Sequence, residues 1–164
     1  MNGGIADFEG YFEDFTPGVT YRHARGKTVS ELDNVLLTNL VLNTAEPHFN
    51  EHAAQQDPMF KHRIVYGGIT VAMVIGLAAQ DTACHALREL GMDNIRLFAP
   101  VYHGDTLYAY TEVISKTRDV QAGGGVVAFR HLGFNQGDTL VFSGERRAFV
   151  QSRPAQSTAR GGVR

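Results

Sequence analysis

Two short stretches of this 164-residue chain gather groups that could do chemistry: Asn43-Thr44-Ala45-Glu46-Pro47-His48-Phe49-Asn50 and, further on, Ile64-Val65-Tyr66-Gly67-Gly68. The imidazole of His48 can give and take a proton near neutral pH. Asn43 cannot be a base, but its carboxamide can hold a water molecule or orient His48. Gly67 and Gly68 stand where a helix should begin. Backbone N–H groups there can meet negative charge developing on an oxygen, and glycine lets a ligand's carbonyl come close to the main chain. Each group also has a plainer reading. A histidine after a proline serves as a surface or capping residue, Asn43 as the C-cap of a preceding helix, and the glycines as punctuation between loop and helix.

Other polar residues offer less. Glu46 is a second carboxylate near His48, but a solvated one is the simpler reading, and Asn50 and Glu51 read as caps of a short helix. His103-Gly104-Asp105 reads as a turn before a strand. No His or Cys stands at metal-ligand spacing from His48 or His62, so neither a metal nor another cofactor is expected. The single cysteine, Cys84, cannot form an internal disulfide and is expected to be buried on a helix. Arg22, Lys61, Arg63 and Arg96 are candidate phosphate contacts.

The elements that must position these groups follow from periodicity. Phe8 to Pro17 interleaves aromatics with acids and should drape over the domain. Thr20 to His23 fits a first strand. Thr28-Val29-Ser30-Glu31 has the form of a capping box, which predicts a helix to about Leu42 with Leu32, Val35, Leu36 and Leu40 as its buried stripe. Pro47 should break the chain between Asn43 and Asn50, and Glu51 to Gln56 can form a short helix. Ile69 to Leu90 predicts a long helix, apolar all round in its first half, with Gly91 as C-cap. Strands are expected at Asn94–Phe98, Thr106–Lys116, Gly124–Phe134 and Thr139–Gln151. The Ala122–Gly125 and Asn135–Asp138 turns should make hairpins of the last three. Residues 1–152 are read as one domain and 153–164 as a disordered tail. The pattern is α+β: an antiparallel sheet wrapped around a long central helix, the hot-dog architecture.

Composition narrows the classes. The hydrophobic share is 43%, the charged share 20% and the net charge −2, which describes a globular domain with no basic footprint for nucleic acid. The longest apolar stretch, Ile69 to Ala79, is too short to span a bilayer. Met1 to Gly10 lacks the basic and apolar regions of a signal peptide, so a cytoplasmic location is expected.

The two stretches together resemble the MaoC-like dehydratases and (R)-specific enoyl-CoA hydratases. His48 matches the motif histidine, Asn43 stands five residues before it where those enzymes usually carry aspartate, and Tyr66 stands in place of a second histidine, followed by the matching Gly67. Further segments are similar to the mesaconyl-CoA hydratase (methylmalyl-CoA dehydratase) branch. They are Tyr21–Ala24, Glu31–Thr38, Gly91–Arg96 and Ala99–Leu107, and that branch also tends to carry asparagine at the position of Asn43. The resemblance implies a hot-dog fold and a hydro-lyase that adds or removes water beside an acyl thioester, such as a small branched or dicarboxylic enoyl-CoA. His48 and Asn43 would be catalytic, and Gly67, Gly68 and Tyr66 would hold the substrate. It implies a homodimer without nucleic-acid or membrane partners. An acyl-carrier-protein substrate, or a non-catalytic thioester-binding subunit, would use the same residues. A thioesterase would need a carboxylate on the first turns of the central helix, and none follows Gly68.

Overall fold

The computed structural model describes residues 8–154. The proposed tail beyond residue 154 and the first seven residues lie outside it. Five strands form one antiparallel sheet: β1 (Thr20–Thr28), β2 (Ala86–Leu97), β3 (Thr106–Asp119), β4 (Gly124–Phe134) and β5 (Leu140–Gln151). Their spatial order is β1-β3-β4-β5-β2. Of the helices α1 (Glu31–Leu40), α2 (Glu46–Phe49), α3 (Glu51–Gln56) and α4 (Gly67–Thr82), α4 packs across the inner face of the sheet.

The period-2 pattern of the later strands decides which face is inner. Leu107, Ala109, Thr111 and Val113 of β3 and Val127, Phe129 and His131 of β4 are all fully buried. Ile69, Val74 and Ala78 of α4 meet Leu107, Ala109, Val141 and Phe142 in one apolar cluster. The approach is close enough that a Cβ on Gly133 would lie 2.6 Å from Val74. The draped N-terminal segment closes a second cluster, in which Phe12 and Phe15 pack on Val113, Val127, Phe129, Ala148 and Val150.

Several expectations need correction. The central helix ends at Thr82, not Leu90. From Ala86 the chain extends into β2 and pairs with β5. The sheet would otherwise leave β5 as an unpaired edge, so pairing overrides the helical propensity of Ala86–Leu90. Gly91 lies within that strand, opposite Arg147, and Cys84 is exposed just beyond the helix end. The cap of α1 is Ser30 with Asp33, whose side chain and backbone bond reciprocally. Thr28, assigned to that cap by sequence, ends β1 and bonds Thr106 at 2.7 Å. Pro47 is the second residue of the one-turn helix α2, near whose beginning proline is tolerated. The stripe of α1 faces outward: Leu32, Leu36 and Leu40 are 70%, 59% and 73% exposed, while Asn34 and Thr38 are the buried pair. Arg153 is held among Glu9, Glu13 and Asp14.

A polar chain runs from half-exposed Asp81 into the core. Asp81 Oδ2 lies 2.5 Å from His23 Nδ1, His23 Nε2 lies 2.7 Å from the Thr111 hydroxyl, and that hydroxyl lies 2.8 Å from His131 Nδ1. The order resembles a nucleophile relay, but Thr111 is fully buried, so no substrate reaches it. Among the described residues, His131 Nε2 has no hydrogen-bond partner. Burial, with help from the charge of Arg146, pushes the His131 imidazole down to about 3. The unfolded chain therefore takes up a proton near pH 6.5 that the native chain refuses. The contribution of neutral His131 is complete above that pH and is lost as pH falls toward 3. Denaturant unfolding should show stability falling by about 2 kcal/mol between pH 7 and pH 5 from this group, and His131→Leu should remove that share of the fall. An unchanged pH dependence in His131→Leu would contradict the assignment.

Candidate active site

Residues 64–66 run between two other segments and are fixed by main-chain bonds on both sides. Ile64 N–H donates to the Pro47 carbonyl at 3.0 Å and Val65 N–H to the Val101 carbonyl at 2.7 Å, and Ile64 forms a bridge with Tyr102. Glu51 of α3 accepts from Arg63 N–H and Nε, each at 3.1 Å, while the guanidinium also reaches Glu31. Those bonds hold the Glu51 carboxyl down at about 2, with the Arg63 backbone N–H as the largest cause.

His48 depends on this strap. Its Nδ1 lies 3.0 Å from the Ile64 carbonyl. A carbonyl only accepts, so Nδ1 carries the proton and the lone pair of the neutral ring sits on Nε2. The His48 ring faces Tyr66 with centroids 5.5 Å apart. Tyr66 is the N-cap of α4, and no side chain caps that end. Ile69 and Thr70 N–H turn back to the Tyr66 carbonyl, whereas the N–H groups of Gly67 and Gly68 find no acceptor among the described residues. A Cβ on Gly68 would lie 2.5 Å from the Tyr66 ring and one on Gly67 would meet the end of the Leu97 side chain, so either would displace a residue of the cleft wall.

His48, Tyr66, Gly67 and Gly68 line one cleft of about 660 Å³. The rest of its wall is apolar: Ile64, Val65 and Val71 from the strap and α4, Ile95 and Leu97 from β2, then Phe98 to Val101, with Phe60 at one side. Apart from His48 and Tyr66, Thr70 is the one lining residue with a polar side chain. An apolar hollow with few convergent polar groups suits an acyl chain bearing one polar function. Asn43 is not in this wall. Its Oδ1 accepts from Ala45 N–H at 3.2 Å in an Asx turn, so it shapes the loop that carries His48.

Of the candidate phosphate contacts, Arg63 is engaged by its two glutamates, Arg22 lies over the Tyr110 ring, and Arg96 Nη1 donates to the carbonyl of its neighbour Ile95, a cleft residue. Sequence reasoning missed two contributors. One is the wall from β2: Ile95 and Leu97 fall in the expected Asn94–Phe98 strand, but nothing in their pattern said that this strand borders the cleft. The other is buried Asn34, which bonds both the His48 carbonyl and Tyr66 N–H; its signal was the Asn34/Thr38 spacing opposite the leucines. No group of three or more His, Cys, Asp or Glu that could hold a metal occurs among the described residues, and no helix there is long and apolar enough to cross a membrane.

Comparison with known proteins points one way. The family model described as mesaconyl-CoA hydratase matches residues 5–152. The mesaconyl-CoA hydratase of Haloarcula marismortui is 33% identical over 154 residues, covering 86% of this chain and 42% of that protein. The crystal structure of a MaoC domain protein dehydratase from Chloroflexus aurantiacus superimposes with a TM-score of 0.84 at 29% identity, over 97% of this chain and 45% of that one. A Mycobacterium tuberculosis protein described as having a double hot-dog fold matches at TM-score 0.78 and 22% identity, covering 88% of this chain and 44% of that one, a likeness of fold alone. The chain thus spans less than half the length of the mesaconyl-CoA hydratases and the methylmalyl-CoA dehydratase it matches.

Proposed function

This chain belongs to the mesaconyl-CoA hydratase family, and we propose that it is a hydro-lyase acting at the α,β carbon–carbon bond of an acyl thioester, with a small branched or dicarboxylic enoyl-CoA such as mesaconyl-CoA as substrate. The observation that carries this reading is the meeting, in one apolar cleft, of a histidine whose Nε2 holds the lone pair and two backbone N–H groups without acceptors.

In the hydration direction the thioester oxygen accepts from Gly67 and Gly68 N–H at the positive end of α4, with the Tyr66 hydroxyl as a further donor. His48 Nε2 takes a proton from water as its oxygen bonds to the β carbon, and the electron pair of the double bond moves onto the thioester as an enolate. The imidazolium then returns a proton to the α carbon, so the elements of one water molecule are added. Dehydration runs the same steps backwards. Asn43 takes part through the turn it makes with Ala45.

The partner copy enters by the same reading. β2 is an outer strand of the sheet, its Leu87, Leu90, Met92, Ile95 and Leu97 are exposed, and an open strand edge favours pairing. A homodimer joined there would cover Ile95 and Leu97 of the cleft wall. Light scattering should give twice the 18.0 kDa chain mass; a monomer at micromolar concentration would contradict it.

The reaction is tested by incubating purified protein with mesaconyl-CoA, crotonyl-CoA and their hydrated counterparts and reading the mass change of one water. His48→Ala should lower kcat by about 10²- to 10⁴-fold, the usual worth of a positioned proton-transfer group. No mass change on any of these thioesters would overturn the hydro-lyase reading and favour a binding role.

A further inference from the structure

The two halves of the cleft lie on different segments: the imidazole on α2, the free N–H pair on the first turn of α4. Ile64 ties His48 to the strap through a ring nitrogen. A second link is made by Asn34 of α1, which is 0% exposed. Its Nδ2 donates to the His48 carbonyl at 3.1 Å, and its Oδ1 accepts from Tyr66 N–H at 3.0 Å. A carbonyl cannot donate and an N–H cannot accept, so this pairing fixes the orientation of the amide. A carboxamide offers the donor and the acceptor on two separate atoms of one short side chain, so it can reach both partners at once.

The neighbouring turn of α1 holds the other end of the His48 loop, since Thr38 accepts from Asn43 N–H through its carbonyl at 2.9 Å. Thr38 in turn donates its hydroxyl to the Asn34 carbonyl at 2.6 Å. The segment from Asn43 to His48 is thereby clamped at both ends on the polar face of one helix. Tyr66 N–H is the group immediately before the two free glycine N–H groups, so the bond from Asn34 sets where the first turn of α4 starts relative to His48.

We propose that Asn34 is a positioning residue of this site: one buried carboxamide sets the spacing between the His48 imidazole and the N–H groups of Gly67 and Gly68. The proposal rests on the hydro-lyase reading for its kinetic consequence but not for its geometric one. Small displacements of a proton-transfer group from an oxyanion-binding pair are costly to rate and nearly silent in binding.

The discriminating variant is Asn34→Asp. It keeps shape and the acceptor toward Tyr66 N–H, but sets a carboxylate oxygen against the His48 carbonyl. Two readouts are taken on wild type and variant. The first is the His48 ring tautomer in the ligand-free protein, from long-range proton–nitrogen NMR. Wild type should show Nδ1–H alone, and Asn34→Asp, folded by circular dichroism, should show a mixture with Nε2–H. The second is kcat and KM on whichever thioester wild type turns over, where kcat should fall about 10²-fold with KM within about threefold. Asn34→Ser carries the same test if the aspartate variant does not fold.

An unchanged tautomer in a folded variant, or unchanged kcat, would overturn the proposal. So would failure of both variants to fold, which would make Asn34 a residue of stability alone. If wild type turns over no thioester, the hydro-lyase reading fails while the tautomer measurement still decides the role of Asn34.

Discussion

The structure hangs on three residues of main chain, Ile64 to Tyr66, that pass through partly buried ground and must have their polar groups satisfied there. Pro47 and Val101 supply partners on either side, the Ile64 carbonyl is left for His48 Nδ1, and Asn34 takes Tyr66 N–H. Among the described residues, what the strap leaves unsatisfied is the next pair of N–H groups, Gly67 and Gly68. The same accounting that stabilises the segment therefore decides which ring nitrogen of His48 is protonated and which backbone donors face the cleft.

The rest of the fold supplies a platform for that strap. α4 needs an apolar bed long enough for its 16 residues, and β3, β4 and β5 provide it with alternating small and branched side chains. α3 holds Arg63 beside the strap through Glu51. Besides Leu37, which packs against the core, α1 turns Asn34 and Thr38 inward, because a loop with main-chain groups to satisfy lies beneath them. Leu32, Leu36 and Leu40 are left on the outside, as are the apolar residues of the β2 edge.

This division explains how much the sequence disclosed. The strands β3 to β5 were legible because burial on one face imposes strict alternation, and the start of α4 because two glycines precede an apolar run. The His48 and glycine stretches were legible as motifs and do share one cleft. The end of α4 was not, since Ala86-Leu87-Arg88-Glu89-Leu90 favours helix locally and becomes strand only because β5 needs a partner. The orientation of α1 was misread for a related reason. Its leucine spacing describes an amphipathic helix correctly, but spacing cannot say which face finds the interior when the interior is polar. Asn43 drew attention because it stands where the resembled hydratases usually carry aspartate, and that position could not disclose the Asx turn its amide makes with Ala45.

The central claim is that one thioester lies between His48 and the start of α4. A crystal structure of the protein with a bound enoyl-CoA, or a stable thioether analogue of the hydrated product, tests it most directly. The account predicts the thioester oxygen within about 3 Å of Gly67 or Gly68 N–H, with the β carbon on the Nε2 side of His48 at a distance that admits one water. An acyl group lying elsewhere, with those N–H groups still facing solvent, would contradict it.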